Sequence, residues 1–259
     1  MLSDYGRRDG FVSSCQGVVA QIAPTVRVVD ITHDVPPFDV RHGAAVLAQT
    51  VRYLPPSLIV GVVDPGVGTG RRGIAVAAGH SLLVGPDNGL LLWAADALGG
   101  ARTAVELTEP AFRVTTLGRT FDGRDVFAPA AAHLANGVAL GALGSSLDVG
   151  DLVRLTTPRV EVRPGVLVAD VLTVDHFGNI QLAATAADLD AAGLAHLRVE
   201  VGIGDRSYDV ALGSAFADVP AGDLVLYIDS AGHAALALNR GSAAYELRVE
   251  PGEVVTVTG

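Results

Sequence analysis

The sequence predicts an α/β protein with two domains, the first built on a mostly parallel sheet and the second on antiparallel β structure. Three observations carry this. In the first part of the chain, short apolar runs of β type alternate with alanine-rich stretches of helical spacing, the pattern of a sheet covered by helices. After Leu147, Val- and Leu-rich runs are broken by turn sequences such as Asp175-His-Phe-Gly-Asn179 and Asp229-Ser-Ala-Gly232, which reads as hairpins. Polar clusters fall at the ends of the predicted strands, where an open α/β sheet places its chemistry.

Taken in order, Asp4 is expected to end the first strand. Only three residues precede it, so that strand is either very short or starts upstream of Met1. Helices are predicted over residues 10–22 and 39–53, closed by Pro24 and by Pro55-Pro56, since proline cannot continue a helix. Strands are predicted over residues 26–31, 58–63 and 81–84. A further helix is expected over residues 126–136, with the Asp125 carboxylate as its N-cap. Residues 147–163, with Pro158 inside and Pro164 next to them, form the expected linker. The domains are placed at residues 1–150 and 160–259. There is no internal repeat or low-complexity tract.

Composition excludes several functions. The 259 residues are 49% hydrophobic with a mean hydropathy of +0.41, but the apolar residues are scattered, and no run of about 18 reads as transmembrane. Nothing at Met1-Leu2-Ser3-Asp4 reads as a signal peptide, and Cys15 is the only cysteine. These features predict a cytoplasmic protein without a disulfide, Cys15 serving as a small buried apolar residue. The net charge of −10 argues against a nucleic-acid partner, which needs clustered positive charge. All 18 basic residues are arginine, so Schiff-base chemistry and P-loop phosphate binding are absent.

The run Val62-Val63-Asp64-Pro65-Gly66-Val67-Gly68-Thr69-Gly70-Arg71-Arg72 ends an apolar strand in a carboxylate, a glycine-rich turn and two arginines. Lacking the Gly-Lys-Ser/Thr ending of a phosphate cradle, it presents an Asp and an Arg on stiff backbone, suited to orienting a water nucleophile. The same residues also fit a tight turn with a surface ion pair. Other clusters are Asp4 with Asp9, Asp30 to Asp34 around His33, Asp87-Asn88, and Asp122-Gly-Arg-Asp125. His33 with its flanking aspartates lacks the spacing of a metal site, so no metal is expected and His33 is read as structural. Phe121 is available to pack on a flat ligand, or to act in an ordinary capped helix. Asp175 to Asn179 offers an aromatic face and an amide suited to a purine, and equally fits a plain hairpin turn.

Six motifs in order match one family: Ser-Asp-Tyr-Gly-x2-Asp from Ser3, Asp-Ile-Thr-His-x2-Pro-x2-Asp-Val from Asp30, Val-Val-Asp-Pro-Gly-Val-Gly-Thr from Val62, Gly-Pro-Asp-Asn-Gly-Leu from Gly85, Thr-Phe-x-Gly-Arg-Asp-x-Phe-Ala-Pro from Thr120, and Asp-His-Phe-Gly-Asn from Asp175. The chain resembles the S-adenosylmethionine hydroxide adenosyltransferases, relatives of the fluorinating and chlorinating adenosyltransferases. The resemblance implies an N-terminal α/β domain, a C-terminal antiparallel β-barrel-like domain, and a homotrimer with active sites at subunit interfaces. The implied reaction turns S-adenosylmethionine and water into adenosine and methionine, with S-adenosylmethionine as substrate and no metal or redox cofactor.

The family's water-activating set is an Asp, an Arg and a His. By resemblance Asp64 is the Asp, and Arg71 is the Arg, with Arg72 one residue away as the alternative. Asp122 stands where the family has its His. An Asp there can still accept a hydrogen bond from water, but it adds like-charge repulsion to Asp64. Asp4 is implied to hold the ribose hydroxyls, and Phe38 to lie beside ribose and adenine. Phe177 and Asn179 are implied on the adenine side, Asp175 at the methionine ammonium and Ser230 near its carboxylate, where the halogenating relatives add an arginine and this chain has Ala231. The fluorinating enzymes have tyrosine where Asp64 stands and serine where Gly123 stands. A negative Asp64 repels halide and favours polarised water. A chloride-dependent transferase and a binding protein without turnover are the alternative expectations.

Overall fold

The first strand is two residues long: β1 covers Leu2–Ser3 and is followed directly by Asp4. The protein is represented by a computed structural model that describes residues 1–115, 118–195 and 198–259 and divides into two units, Met1–Leu155 and Thr156–Gly259.

In the first unit, helices α1 (Phe11–Ile22) and α2 (Val40–Val51) follow β1. Asp39 caps α2 by accepting from the His42 N–H at 2.9 Å. Then come β2 (Leu58–Val62), β3 (Gly73–Ala78), β4 (Ser81–Pro86), α3 (Leu92–Ala97), β5 (Ala101–Glu106), α4 (Ala128–Ala135) and β6 (Ser146–Leu147). The sheet order is β1-β2-β4-β3-β5-β6. It is parallel across β1, β2 and β4, as predicted, and antiparallel from β3 onward. Alternate residues serve two cores. Ile59, Val63, Ile74 and Val76 face Ala44, Leu47 and Val51 of α2, while Val60, Val62 and Ala75 face Phe127, Ala130 and Leu134. The period of two thus sandwiches the sheet between helices. Cys15 is fully buried between α1 and α4, and burial pushes its thiol up to about 12, so it packs as an apolar residue.

Two expectations are corrected. The strand predicted over residues 26–31 does not form. That stretch runs beside β1, linked by Ile31 N–H to the Met1 carbonyl at 2.7 Å and by one parallel bridge between Leu2 and Thr32. A two-residue strand offers too little edge for a ladder. Asp125 is not an N-cap either. A π-helical turn covers Gly123–Phe127 and α4 starts only at Ala128. The Asp125 carbonyl, which a continuous helix would offer to residue 129, meets Pro129, which has no N–H. It accepts instead from the Val114 N–H at 2.9 Å.

The second unit begins with β7 (Val160–Arg163), β8 (Val166–Val174), β9 (Ile180–Thr185), α5 (Ala186–Ala191), β10 (Arg198–Ile203) and β11 (Arg206–Leu212). It ends with β12 (Leu224–Ile228), β13 (His233–Leu238), α6 (Ala243–Leu247) and β14 (Val254–Thr258). The order β14-β10-β11-β12-β13-β9-β8, closed by β14 on β8, is a seven-strand barrel with β7 added along β8. All pairs are antiparallel except β11 with β12. Inward residues such as Leu167, Ile180, Val201, Leu236 and Val257 fill it, and closure leaves no long free sheet edge.

Candidate active site

Asp64 lies two residues beyond β2, and the glycine turn after it folds back on itself. Val67 N–H donates to the Asp64 carbonyl at 3.3 Å, and the Thr69 hydroxyl donates to the Gly66 carbonyl at 2.7 Å while accepting from Arg71 N–H at 3.2 Å. This returns Arg71 to the carboxylate. Its Nε donates to Asp64 Oδ1 at 3.1 Å and its Nη2 donates to Asp64 Oδ2. The same Nη2 donates to Asp122 Oδ2 at 2.6 Å, so one guanidinium joins both acids. The Arg71 guanidinium also lies 5.4 Å from the centre of the buried Phe127 ring, which fixes its plane.

The neighbouring arginine does something else. Arg72 donates from Nε to Asp87 Oδ2 at 2.8 Å and from Nη2 to the Asp151 carbonyl at 2.7 Å. Asp87 Oδ1 in turn accepts from Val153 N–H at 2.9 Å. Arg72 and Asp87 therefore hold the end of the unit to its sheet, and Arg71 is the arginine that meets Asp64. Asn88 is structural as well, its Nδ2 donating to the Val63 carbonyl at 2.8 Å.

The Asp64 and Arg71 side chains are 6% and 10% exposed, against 24% for Asp122. Burial raises the Asp64 carboxyl above its ordinary range, and the Asp122 charge adds to this. The Arg71 charge and its hydrogen bonds oppose the rise without cancelling it. Two carboxylates against one guanidinium leave the cluster with a formal charge of −1, so Arg71 does not neutralise both acids. Arg71 and Asp122 line a cavity of about 360 Å³, together with Thr69, Arg113 and Arg119 among others; Asp64 is not part of its wall.

Asp4 and Phe38 meet directly: Asp4 Oδ2 accepts from the Phe38 N–H at 3.0 Å. Phe38 has φ of +68° and its side chain is 70% exposed. A left-handed aromatic residue costs about 1–3 kcal/mol and persists only where its surroundings impose it. Behind Asp4, the buried His33 bonds Ser3 Oγ through Nδ1 at 2.7 Å and places Nε2 3.0 Å from Asp30 Oδ1. His33 thus bonds a carboxylate, and among the described residues no group of three His, Cys, Asp or Glu side chains is arranged to hold a metal. Phe121 is half-buried and packs edge-on against Tyr5 and Phe11 at 5.6 and 5.2 Å, with the Arg124 guanidinium 4.8 Å from its ring centre. Asp9 is exposed.

In the second unit, Asp175 to Asn179 forms the turn between β8 and β9. The Asp175 carboxylate accepts from Phe177 N–H at 2.9 Å, from Asn179 N–H at 2.8 Å and from Asn179 Nδ2 at 2.8 Å. Gly178 has φ of +83°, and any Cβ there would collide with Ser242. The turn thereby holds Phe177 out, 74% exposed. Ser230 is exposed in the turn between β12 and β13, where Asp229 accepts from Ala231 and His233 N–H at 2.8 and 2.9 Å. Gln181 bonds both Asp229 and Thr173, tying the base of this turn to β8 and β9.

The N-terminal domain model of the SAM hydroxide adenosyltransferases matches residues 1–144, and the C-terminal domain model matches residues 169–256. The chain belongs to the SAM hydroxide adenosyltransferase family. Among its relatives, an (R)-S-adenosyl-L-methionine hydrolase of Salinispora arenicola is 55% identical over 99% of this chain and 95% of its own. A fluorinase of an Actinoplanes species is 31% identical, covering 99% of this chain and 96% of its own. An uncharacterised conserved protein from Thermotoga maritima has the same fold, with a TM-score of 0.93 at 32% identity, covering 100% of this chain and 98% of its own. Sequence reasoning gave no role to Tyr5 or Gln181. Tyr5 is half-buried with its ring against Gly123, where a Cβ would strike the phenol oxygen. The only advance signal for that contact is the glycine placed directly after Asp122.

Proposed function

We propose that this protein hydrolyses S-adenosylmethionine to adenosine and methionine by attack of water on C5′. The observation that carries the reading is the joining of Asp64, Arg71 and Asp122 in one hydrogen-bonded cluster. The C5′–S bond breaks with its electron pair passing to sulfur, so methionine leaves as a neutral thioether. The water oxygen bonds C5′, and its lost proton passes to Asp64 and then to solvent. Asp64 accepts one water hydrogen and aligns the oxygen, Asp122 accepts the other, and Arg71 fixes both acids. The sulfonium supplies the leaving-group activation, so no cofactor is required.

The substrate-binding residues are Asp4 and Phe38 at the ribose, Phe121, Phe177 and Asn179 near the adenine, and Asp175 with Ser230 at the methionine end. The working form is a homotrimer. The Salinispora relative's name specifies the (R) sulfonium, and the same stereoisomer is the substrate here. Chloride is disfavoured as nucleophile because it would sit against a cluster of negative charge. The serine that resemblance places at position 123 in fluorinating relatives also has no room here beside Tyr5.

The test is chromatographic detection of adenosine and methionine after incubation with each S-adenosylmethionine stereoisomer, with and without chloride, beside Asp64→Ala. Adenosine that is independent of chloride and lost in Asp64→Ala is the expected result. Chlorodeoxyadenosine, or binding without product, overturns the reading.

A further inference from the structure

We propose that the Tyr5 hydroxyl is a further catalytic group, donating a hydrogen bond to the attacking water opposite Asp64 and Asp122. The inference rests on the hydrolase reading and adds a residue to it. Tyr5 follows Asp4, and its ring packs in a triangle with Phe11 and Phe121, with centroids 5.8 and 5.6 Å away and those two rings 5.2 Å from each other. It also touches the backbone of Gly123, the residue after Asp122. A Cβ at that position would collide with the phenol oxygen and lie 3.0 Å from Cζ. The chain therefore keeps space at position 123 for this hydroxyl.

Among the described residues the hydroxyl has no hydrogen-bond partner. Tyr5 makes its one polar contact through its backbone N–H, to Ser3 Oγ at 3.2 Å. Its oxygen lies against the backbone of Gly123, the residue after Asp122 of the acidic cluster. Burial, followed by the charges of Cys15, Asp4, Asp64 and Asp122, raises the phenol's pKa, so it keeps its proton throughout the working range.

The geometry of the nucleophile makes such a donor useful. A water that gives its two hydrogens to Asp64 and Asp122 has two lone pairs left. One must point at C5′, and a donor on the other fixes that direction. Arg71 spends its Nε and Nη2 hydrogen bonds on the two carboxylates. Tyr5 can supply the missing contact with no net proton transfer: the oxygen–C5′ bond forms, the C5′–S bond breaks, and the water proton still leaves through Asp64.

Tyr5→Phe removes only the oxygen. With adenosine release from S-adenosylmethionine as the assay, kcat is expected to fall about tenfold or more, with KM changed less than about twofold. A packing role would leave both constants unmoved, and kcat within twofold of wild type overturns the proposal. Gly123→Ala provides a second route, because its methyl presses on the hydroxyl. It is expected to lower kcat by a larger factor in the Tyr5 protein than in the Tyr5→Phe background, and equal factors overturn the proposal. Wild type that binds substrate but releases no adenosine would bring down the hydrolase reading and this one together. An active wild type with an unaffected Tyr5→Phe brings down the Tyr5 role alone.

Discussion

Two acidic sites in this molecule are built in opposite ways. Asp64 and Asp122 are 58 positions apart in sequence and share one guanidinium, leaving unbalanced negative charge in a mostly buried setting. Asp175 takes three hydrogen bonds from within its own five-residue turn and lies exposed. The first arrangement keeps a carboxylate reactive, because burial raises its affinity for a proton. The second organises a turn that presents an aromatic ring and an exposed carboxylate. Chemistry and recognition are thus assigned to long-range and local architecture respectively.

The contrast breaks most sharply at Asp64. Asp64→Asn should lower kcat for adenosine release by about 10²- to 10⁴-fold, the usual worth of a positioned base, while binding of S-adenosylmethionine by calorimetry persists. Arg71→Lys comes next. A lysine cannot donate in a planar fork to two acids, so kcat should fall about 10²-fold, measured in the same assay. The effect of Asp122 is one of pH. Asp64 must be ionised to act, so activity falls as pH drops through its raised pKa. Asp122→Asn removes a charge that raises it, so the acid limb of the kcat/KM profile should move to lower pH. An acid limb that stays in place or moves up removes Asp122 from the account.

On the recognition side the expected effects are smaller. Gly178→Ala forces a Cβ onto Ser242 at a left-handed position. It should cost about 1–3 kcal/mol in thermal or denaturant unfolding, and raise KM more than it lowers kcat. Phe177→Ala should raise KM about 3- to 10-fold, the worth of one stacked ring, with the melting temperature unchanged because the side chain is exposed.

The sequence made some of this plain and hid the rest for definable reasons. Both predicted N-terminal helices lie where their prolines and the Asp39 cap put them, within two residues at each end. The strands at Leu58 and Ser81 were equally legible because they are continuous apolar runs. β3 and β5 were not, since alanine fills half of Gly73–Ala78 and polar residues fill half of Ala101–Glu106, so neither forms a continuous run of large apolar residues. The segment over residues 26–31 has strand composition but only a two-residue neighbour to pair with, and pairing is a tertiary fact. Asp125 looked like a cap because its carboxylate directly precedes the apolar stretch from Val126, and a π turn leaves no local sequence signal. In the site, Asp64 was legible from its place at a strand end. The choice between Arg71 and Arg72 was not, because it depends on which carboxylate each side chain reaches.

That choice carries a consequence for how this segment can evolve. Arg71 and Arg72 are consecutive residues just before β3, and their side chains reach different partners. One is tied to Asp64 and Asp122, the other to Asp87 and Asp151. Insertion or deletion of a single glycine in the preceding turn would carry each guanidinium away from its partners, losing the reaction and the anchor in one event. Turn length here is therefore a coding constraint of its own, beside the identities of Gly68, which has φ of +79°, and Thr69, whose hydroxyl bonds Gly66 and Arg71.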